Sequence, residues 1–204
     1  MRTGSKGFVW GLVAGAGLAI FVMLCALTWI FRDGFTAQAQ PGALETSVAK
    51  HLYSASIPSH FQTMPNQMPS TPDNLHEGME HFADHCAICH ANNGSGDTMF
   101  GRGLSPRPPD LRLAATQSKS DGELYYIIEH GVRLTGMPAF GQPGIGHDHG
   151  SWNLVLFIRH LPFLTPQEEL EMQRMNPVTP SEMKERQAED DFLNGTTSTQ
   201  GVHQ

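Results

Sequence analysis

The residues with the most specific chemistry in this chain are Cys86-Ala87-Ile88-Cys89-His90. Two thiols three positions apart, on a short turn or at a helix start, can form thioether bonds to the two vinyl groups of one porphyrin. The imidazole of His90 follows directly and can bind the iron at the porphyrin centre. The Cys-x-x-Cys-His pattern is typical of covalent haem attachment. It therefore predicts one covalently bound haem c, with an iron that takes up and releases one electron.

Two other chemistries use a Cys-x-x-Cys pair. A redox dithiol is expected in a thioredoxin-like alternation of strands and helices, which this sequence does not show. A structural zinc site needs four ligands at paired spacing, and the only other cysteine is Cys25, inside a long apolar segment. The histidine directly after the second cysteine favours haem over both alternatives.

The second axial position on the iron decides what the haem can do. Residues 135–141 read Thr-Gly-Met-Pro-Ala-Phe-Gly, so that Met137 lies between Gly136 and Pro138. Glycine allows unusual backbone angles, whereas proline fixes its own φ and disfavours helix at the residue before it. A tight loop of this kind can hold a thioether over an iron. Met137 is therefore the predicted sixth ligand, opposite His90.

The chain has ten methionines, and the others suit this role less well. They include Met64 and Met68 in a polar, proline-rich stretch not expected to pack, Met79 on the helix before the cysteines, Met99 in the loop just after them, and Met172, Met175 and Met183 beyond the expected core.

With the Cys-x-x-Cys-His motif, the Gly-Met137-Pro loop and a terminal helix carrying an aromatic residue, the chain resembles a membrane-anchored class I monohaem cytochrome c of the bacterial type. The resemblance covers about residues 72–175. It implies an all-α class I cytochrome c domain at 72–164. Gly78 and Phe82 match the Gly-x-x-x-aromatic spacing of the family's first helix, and Phe157 matches the aromatic residue of its last helix. In the family these residues meet where the two helices cross.

Helix signals support this organisation. Thr71 and Pro72 predict an N-cap and first turn of a helix that runs to about residues 84–86. Residues 120–123 form a capping box for a helix that ends near Gly131, with Leu124, Ile127 and Ile128 facing inward. A helix from about Ser151 to Pro162 follows, and capping boxes at 165–168 and 179–182 predict two short C-terminal helices.

The N-terminal segment 7–31 is an uncharged apolar run, long enough to cross a bilayer. Arg2 and Lys6 precede it, so residues 1–6 are predicted to be cytoplasmic and the haem domain to lie outside. This predicts a single-pass inner-membrane protein with its haem domain in the periplasm. A cleavable signal peptide with an Ala-x-Ala site at 37–39 is the alternative.

Residues 32–71 are rich in Ala, Gln, Ser, Pro and Met and are predicted to be a flexible tether, the alternative being an arm packed on the haem domain. Residues 165–204 are predicted to be an acidic helical or disordered tail, which contributes to the net charge of −7. Such a tail either steers a basic partner or only aids solubility.

The loop at 91–119 contains further candidate haem contacts. Arg102, Arg107 and Arg112 could pair with the haem propionates, the alternative being solvated surface arginines. The resemblance also implies that a proline carbonyl in this loop accepts the hydrogen bond from the axial histidine. The candidates are Pro106, Pro108 and Pro109, and the sequence does not choose among them.

These features predict a one-electron carrier rather than an enzyme, working with redox partners in or at the membrane. The resemblance implies a respiratory or dehydrogenase chain, with the protein acting alone or as the cytochrome subunit of an oxidoreductase complex. No nucleic acid or small-molecule substrate is expected. The alternatives are a haem enzyme or gas-binding sensor with a labile distal ligand, and an assembly or anchoring subunit.

Overall fold

Helices joined by loops make up the computed structural model of this protein, which describes residues 4–32, 36–141, 149–178 and 180–194. No β-strand occurs in these ranges, and the all-α prediction is confirmed. The α-helices are α1 (Gly4–Arg32), α2 (Ala43–Ser56), α3 (Ser59–Gln62), α4 (Pro72–His81), α5 (Ala87–His90), α6 (Met99–Arg102), α7 (Ala114–Gln117), α8 (Asp121–His130), α9 (His149–His160), α10 (Pro166–Met175) and α11 (Pro180–Leu193). A π-helical turn at Phe82–Cys86 joins α4 to α5, and a 3₁₀ turn at Leu161–Phe163 follows α9.

The crossing of α4 and α9 forms the centre of the domain. A Cβ atom added to Gly78 would lie 2.1 Å from the backbone oxygen of Asn153 and 3.2 Å from Cβ of Phe157. Only glycine permits so close an approach of two helix backbones. One turn further along, the rings of Phe82 and Phe157 pack with their centroids 5.1 Å apart, and both side chains are buried. The contact inferred from Gly78, Phe82 and Phe157 is therefore present.

Local capping signals set the helix starts as predicted. Thr71 accepts a hydrogen bond from the Asn74 backbone N–H, with Pro72 in the first turn of α4. The capping boxes of α8 and α10 are both complete, at Ser120 and Thr165. Thr179, the predicted cap of the last helix, lies outside the described residues, although α11 begins at Pro180.

Helix α8 packs on α9 with one difference from the predicted face. Leu124 and Ile128 are buried as expected, but Ile127 is only half-buried. Tyr125 is buried instead, and its ring stacks on that of Trp152 with centroids 4.1 Å apart. The aromatic pair thus fills the space between the two helices.

Residues 57–71 lie on the domain as an arm, which is the alternative to a flexible tether. Ile57 is buried, and Phe61 packs against Tyr125 and Tyr126 of α8. The Gly122 backbone N–H donates to the Met64 carbonyl at 3.1 Å. The chain before this arm is also not coil, because α2 occupies Ala43–Ser56.

The methionines at both ends of the domain pack more than their sequence context suggests. The polar sequence around Met64 and Met68 predicts that they do not pack. Both nevertheless contact the core, because the arm lies against it. Met172 was expected beyond the core but is fully buried, and Met175 packs beside it. Helix α10 therefore completes the core after residue 164.

The N-terminal helix α1 contains one candidate membrane span, at Gly7–Thr28, with a mean hydropathy of 2.3 and none of its length buried in the protein. Its length of about 20 apolar residues matches the hydrocarbon core of a bilayer. This helix is long and apolar enough to anchor the protein.

Candidate functional site

The predicted haem-binding residues occupy the short helix α5 and the turn that precedes it. Cys86 ends the π-helical turn, and α5 carries Cys89 and His90. The chain turns sharply after His90, because Ala91 has a φ of 61°, a value that residues with a side chain rarely adopt. The loop then folds back, and the Gly96 N–H donates to the His90 carbonyl at 2.8 Å. This return contact fixes the end of α5.

Both cysteines of the motif are free thiols and half-buried. Burial, with a smaller contribution from the neighbouring Cys89, raises the pKa of Cys86 to about 12. Reactive redox dithiols instead have a lowered thiol pKa. The environment of Cys86 therefore disfavours the redox-dithiol alternative.

The zinc alternative also lacks support around these thiols. Within the ranges that the structure describes, no three His, Cys, Asp or Glu side chains are grouped so as to hold a metal ion. Cys25, the remaining cysteine, lies in the candidate membrane span. Among the residues that the structure describes, the two thiols thus have no partners with which to complete a four-ligand site.

The ring of His90 is largely enclosed by protein. Burial lowers its pKa below the ordinary value, and the backbone carbonyl of Pro109 opposes this effect. That carbonyl approaches the ring without full hydrogen-bond geometry, because the buried Nδ1 has no hydrogen-bond partner. A neutral imidazole is the form that binds a metal. Among the three candidate prolines, Pro109 is the one whose carbonyl interacts with His90.

The loop that carries Met137 is closed by its own hydrogen bonds. The Val132 N–H donates to the Met137 carbonyl at 3.1 Å, and the Met137 N–H donates to Oγ1 of Thr135, also at 3.1 Å. Thr135 Oγ1 in turn donates to the Val132 carbonyl at 2.7 Å. The result is a tight non-helical turn with Met137 half-buried at its end, as predicted from its flanking residues.

Two contacts fix this loop to the rest of the domain. A Cβ atom added to Gly131, whose φ is 64°, would lie 2.6 Å from the carbonyl carbon of Pro138, so the end of α8 touches the loop directly. A Cβ atom added to Gly136 would lie 2.6 Å from Cδ2 of Leu104, in the segment that follows the cysteine motif. The methionine loop and the loop after His90 therefore meet at Leu104.

The three arginines of the 91–119 segment have different partners. Arg102 pairs with Asp97, and Arg112 forms a two-point ion pair with Asp110, with N–O distances of 2.9 and 2.7 Å. Hydrogen bonds from Arg112 accordingly lower the pKa of Asp110. Arg107 is exposed, and in the described part of the chain no carboxylate pairs with its side chain. Arg107 is thus the arginine best able to pair with an external carboxylate.

Residues 73–158 match the family model described as cytochrome C oxidase, cbb3-type, subunit III. The matched range contains the cysteine motif, α8 and the Met137 loop, and ends within α9. A comparison with curated proteins found no match. The cysteine motif and the helix crossing already indicate a haem domain. The family match agrees with this, because a cytochrome c domain uses haem for electron transfer. Residues 73–158 are therefore a cytochrome c domain, and the N-terminal helix is long and apolar enough to anchor that domain in a membrane.

Proposed function

We propose that this protein is a membrane-tethered one-electron carrier in which Cys86 and Cys89 hold one haem covalently and His90 and Met137 bind its iron. The observation that carries the proposal is the arrangement of α5 inside the matched domain. Two free thiols flank one helical turn, and the adjacent half-buried imidazole has its Nδ1 side toward the Pro109 carbonyl. These residues fit a haem c.

The thiols are suited to thioether formation. Each S–H would add across one vinyl group of the haem, with a sulfur–carbon bond to one carbon and a hydrogen on the neighbouring carbon, without net oxidation. Two such bonds would hold the porphyrin where the π-helical turn meets α5.

His90 is the proximal ligand in this proposal. Its lowered pKa keeps the imidazole neutral and able to bind iron. With haem bound, the Pro109 carbonyl beside the ring would accept a hydrogen bond from Nδ1–H, which would leave Nε2 for the metal and raise its basicity. Bound haem supplies an iron that gains or loses one electron.

Met137 is the distal ligand, and the closed turn from Val132 supports this role. A loop held at both ends keeps the thioether in one position in both oxidation states, so little reorganisation accompanies electron transfer. Met/His ligation also raises the reduction potential. A fixed thioether leaves no free position for a substrate or gas, which favours an electron carrier over the enzyme or sensor alternative.

The orientation follows from the N-terminal charges. Arg2 and Lys6 precede the candidate span and favour a cytoplasmic N-terminus. The cytochrome domain then lies on the periplasmic side of the inner membrane.

The partners are redox proteins at the same membrane. The matched family's description names an oxidase subunit, which supports a place in a respiratory complex. Glu77 and Glu80 of α4 and Asp84 of the π-helical turn line an open cavity of about 430 Å³. This negative surface favours a basic partner, and redox encounters are usually small and transient.

Covalent attachment is tested on the full chain, made with haem-maturation machinery and purified in detergent. We expect the denatured protein to keep a mass increase of one haem, and Cys86→Ala with Cys89→Ala to lose it. Cys25→Ser is the matched control and keeps the haem. A haem that is extracted from the parent by acid and solvent contradicts thioether attachment, and carbon monoxide binding to the native ferrous parent contradicts a fixed Met137.

A further inference from the structure

Helix α2 has two faces of different character. Thr46 and Tyr53 are its half-buried residues, and they lie seven positions apart, on the same side of the helix. Leu44, Val48 and Leu52 lie four positions apart and form a second line. Because each residue advances by about 100°, Val48 lies on the side opposite Thr46 and Tyr53.

The first face rests on the cytochrome domain. The Tyr53 hydroxyl donates to the Gly131 carbonyl at 3.0 Å, and Ile57, directly after α2, is 2% exposed. At the start of the same segment, Gln40 Nε2 donates to the Leu104 carbonyl at 3.1 Å. The helix is therefore held against the domain near both of its ends.

The second face is apolar and exposed. The exposed fractions are 79% for Leu44, 49% for Val48 and 67% for Leu52. This line, the Leu44–Leu52 stripe, is an unusual surface for a helix whose other face is already packed on protein. Three aligned aliphatic side chains favour a further apolar contact.

The connection to the membrane span identifies that contact. Helix α1 ends at Arg32 and α2 begins at Ala43, so ten residues, 33–42, separate them. Ten residues reach at most about 36 Å. The Leu44–Leu52 stripe therefore begins within reach of the bilayer that holds Gly7–Thr28. A helix with an exposed apolar face can lie in the membrane interface, with that face toward the acyl chains.

We propose that α2 lies on the bilayer surface through the Leu44–Leu52 stripe while its opposite face holds the cytochrome domain. The domain then keeps one orientation above the membrane instead of moving freely on a tether. Apart from His51, the helix carries one acid and one base, Glu45 and Lys50, so the contact is apolar and independent of lipid charge. This proposal needs the membrane span but not the identity of the iron ligands.

The test uses the full haem-loaded chain with Cys25→Ser, one copy per phosphatidylcholine nanodisc. An environment-sensitive dye is attached at Leu52→Cys on the stripe or, as the matched control, at the exposed Ser54→Cys on the polar flank. The lipids carry bromine near the carbonyl end of the acyl chain, where it quenches a shallowly inserted dye. Before quenching is measured, the labelled protein must carry one dye per chain. Extra labelling at Cys86 and Cys89 reports failure of haem attachment and not of this proposal.

We expect bromolipid to reduce dye emission at residue 52 at least twofold and to leave residue 54 unchanged. The same quenching is expected in discs with anionic lipid and at high salt. Equal quenching at both residues, or none at either, overturns the proposal. A dye at residue 52 that is shielded from aqueous iodide but not quenched by bromolipid also overturns it, since protein then covers the stripe.

Discussion

Replacing Gly78 by alanine tests whether the crossing of α4 and α9 sets the fold of the domain. The added Cβ atom would lie 2.1 Å from the Asn153 backbone oxygen and 2.7 Å from its carbonyl carbon. Both are backbone atoms, so no side-chain rotation relieves the contact. To reach an ordinary separation of about 3.4 Å, the two helices must move apart by roughly 1 Å, which disturbs the packing of Phe82 on Phe157.

The expected loss of stability follows from two opposing contributions. Overpacking a close contact costs about 3 kcal/mol at the upper end of the usual range, and a backbone clash belongs at that end. Replacing glycine by alanine inside a helix stabilises the folded state by about 1 kcal/mol. The net loss is about 2 kcal/mol, which corresponds to a fall in Tm of roughly 8–16 °C for a domain of this size.

Thermal unfolding of the haem-loaded chain in detergent, followed by circular dichroism, measures the effect. Gly103→Ala is the matched control, since its Cβ atom would meet nothing closer than 3.4 Å and its φ is −84°. We expect that control to change stability by less than about 0.5 kcal/mol. If Gly78→Ala lowers Tm no more than Gly103→Ala, the close crossing of these helices is refuted.

Three further predictions concern single hydrogen-bonded groups. Ser120→Ala removes the cap of α8, and we expect a loss of about 1 kcal/mol in the free energy of unfolding by denaturant titration. Burial opposes ionisation of Glu168, but hydrogen bonds from Thr165 prevail and lower its pKa from 4.5. Its stabilisation is then present above pH 4.5 and lost as the pH falls through the lower folded-state pKa, so the stability gap to Glu168→Gln should close in acid. Tyr53→Phe loses its bond to Gly131, and we expect about 1 kcal/mol less stability and faster hydrogen exchange at Val132.

Features encoded within a few neighbouring residues could be predicted from the sequence. The caps at Thr71, Ser120 and Thr165 are present because a hydroxyl and the backbone it accepts from are adjacent along the chain. The tight turn at Met137 likewise follows from the residues beside it. The cysteine motif on a short helix belongs to the same class of local signals.

Features that depend on contacts between residues far apart in the chain could not be predicted from the sequence. The arm at residues 57–71 looks like polar coil, but Gly122 offers it a surface without a side chain, where an added Cβ atom would lie 2.1 Å from the Phe61 carbonyl oxygen. Met172 appears to follow the domain, yet α10 folds back and buries it completely. The sequence does not show which of the three prolines has its carbonyl beside the axial histidine. The fold decides this, since it brings the Pro109 carbonyl to the His90 ring.

The pairing of Met137 with His90 on one iron is the central claim, and the visible and near-infrared spectrum with a redox titration tests it most directly. The full chain is compared with Met137→Ala and, as the control, with the exposed Met99→Ala. We predict a low-spin parent with a long-wavelength sulfur-to-iron band. Met137→Ala should lose that band and fall in reduction potential, and Met99→Ala should keep both. A high-spin parent, or a Met137→Ala spectrum identical to that of the parent, contradicts the claim.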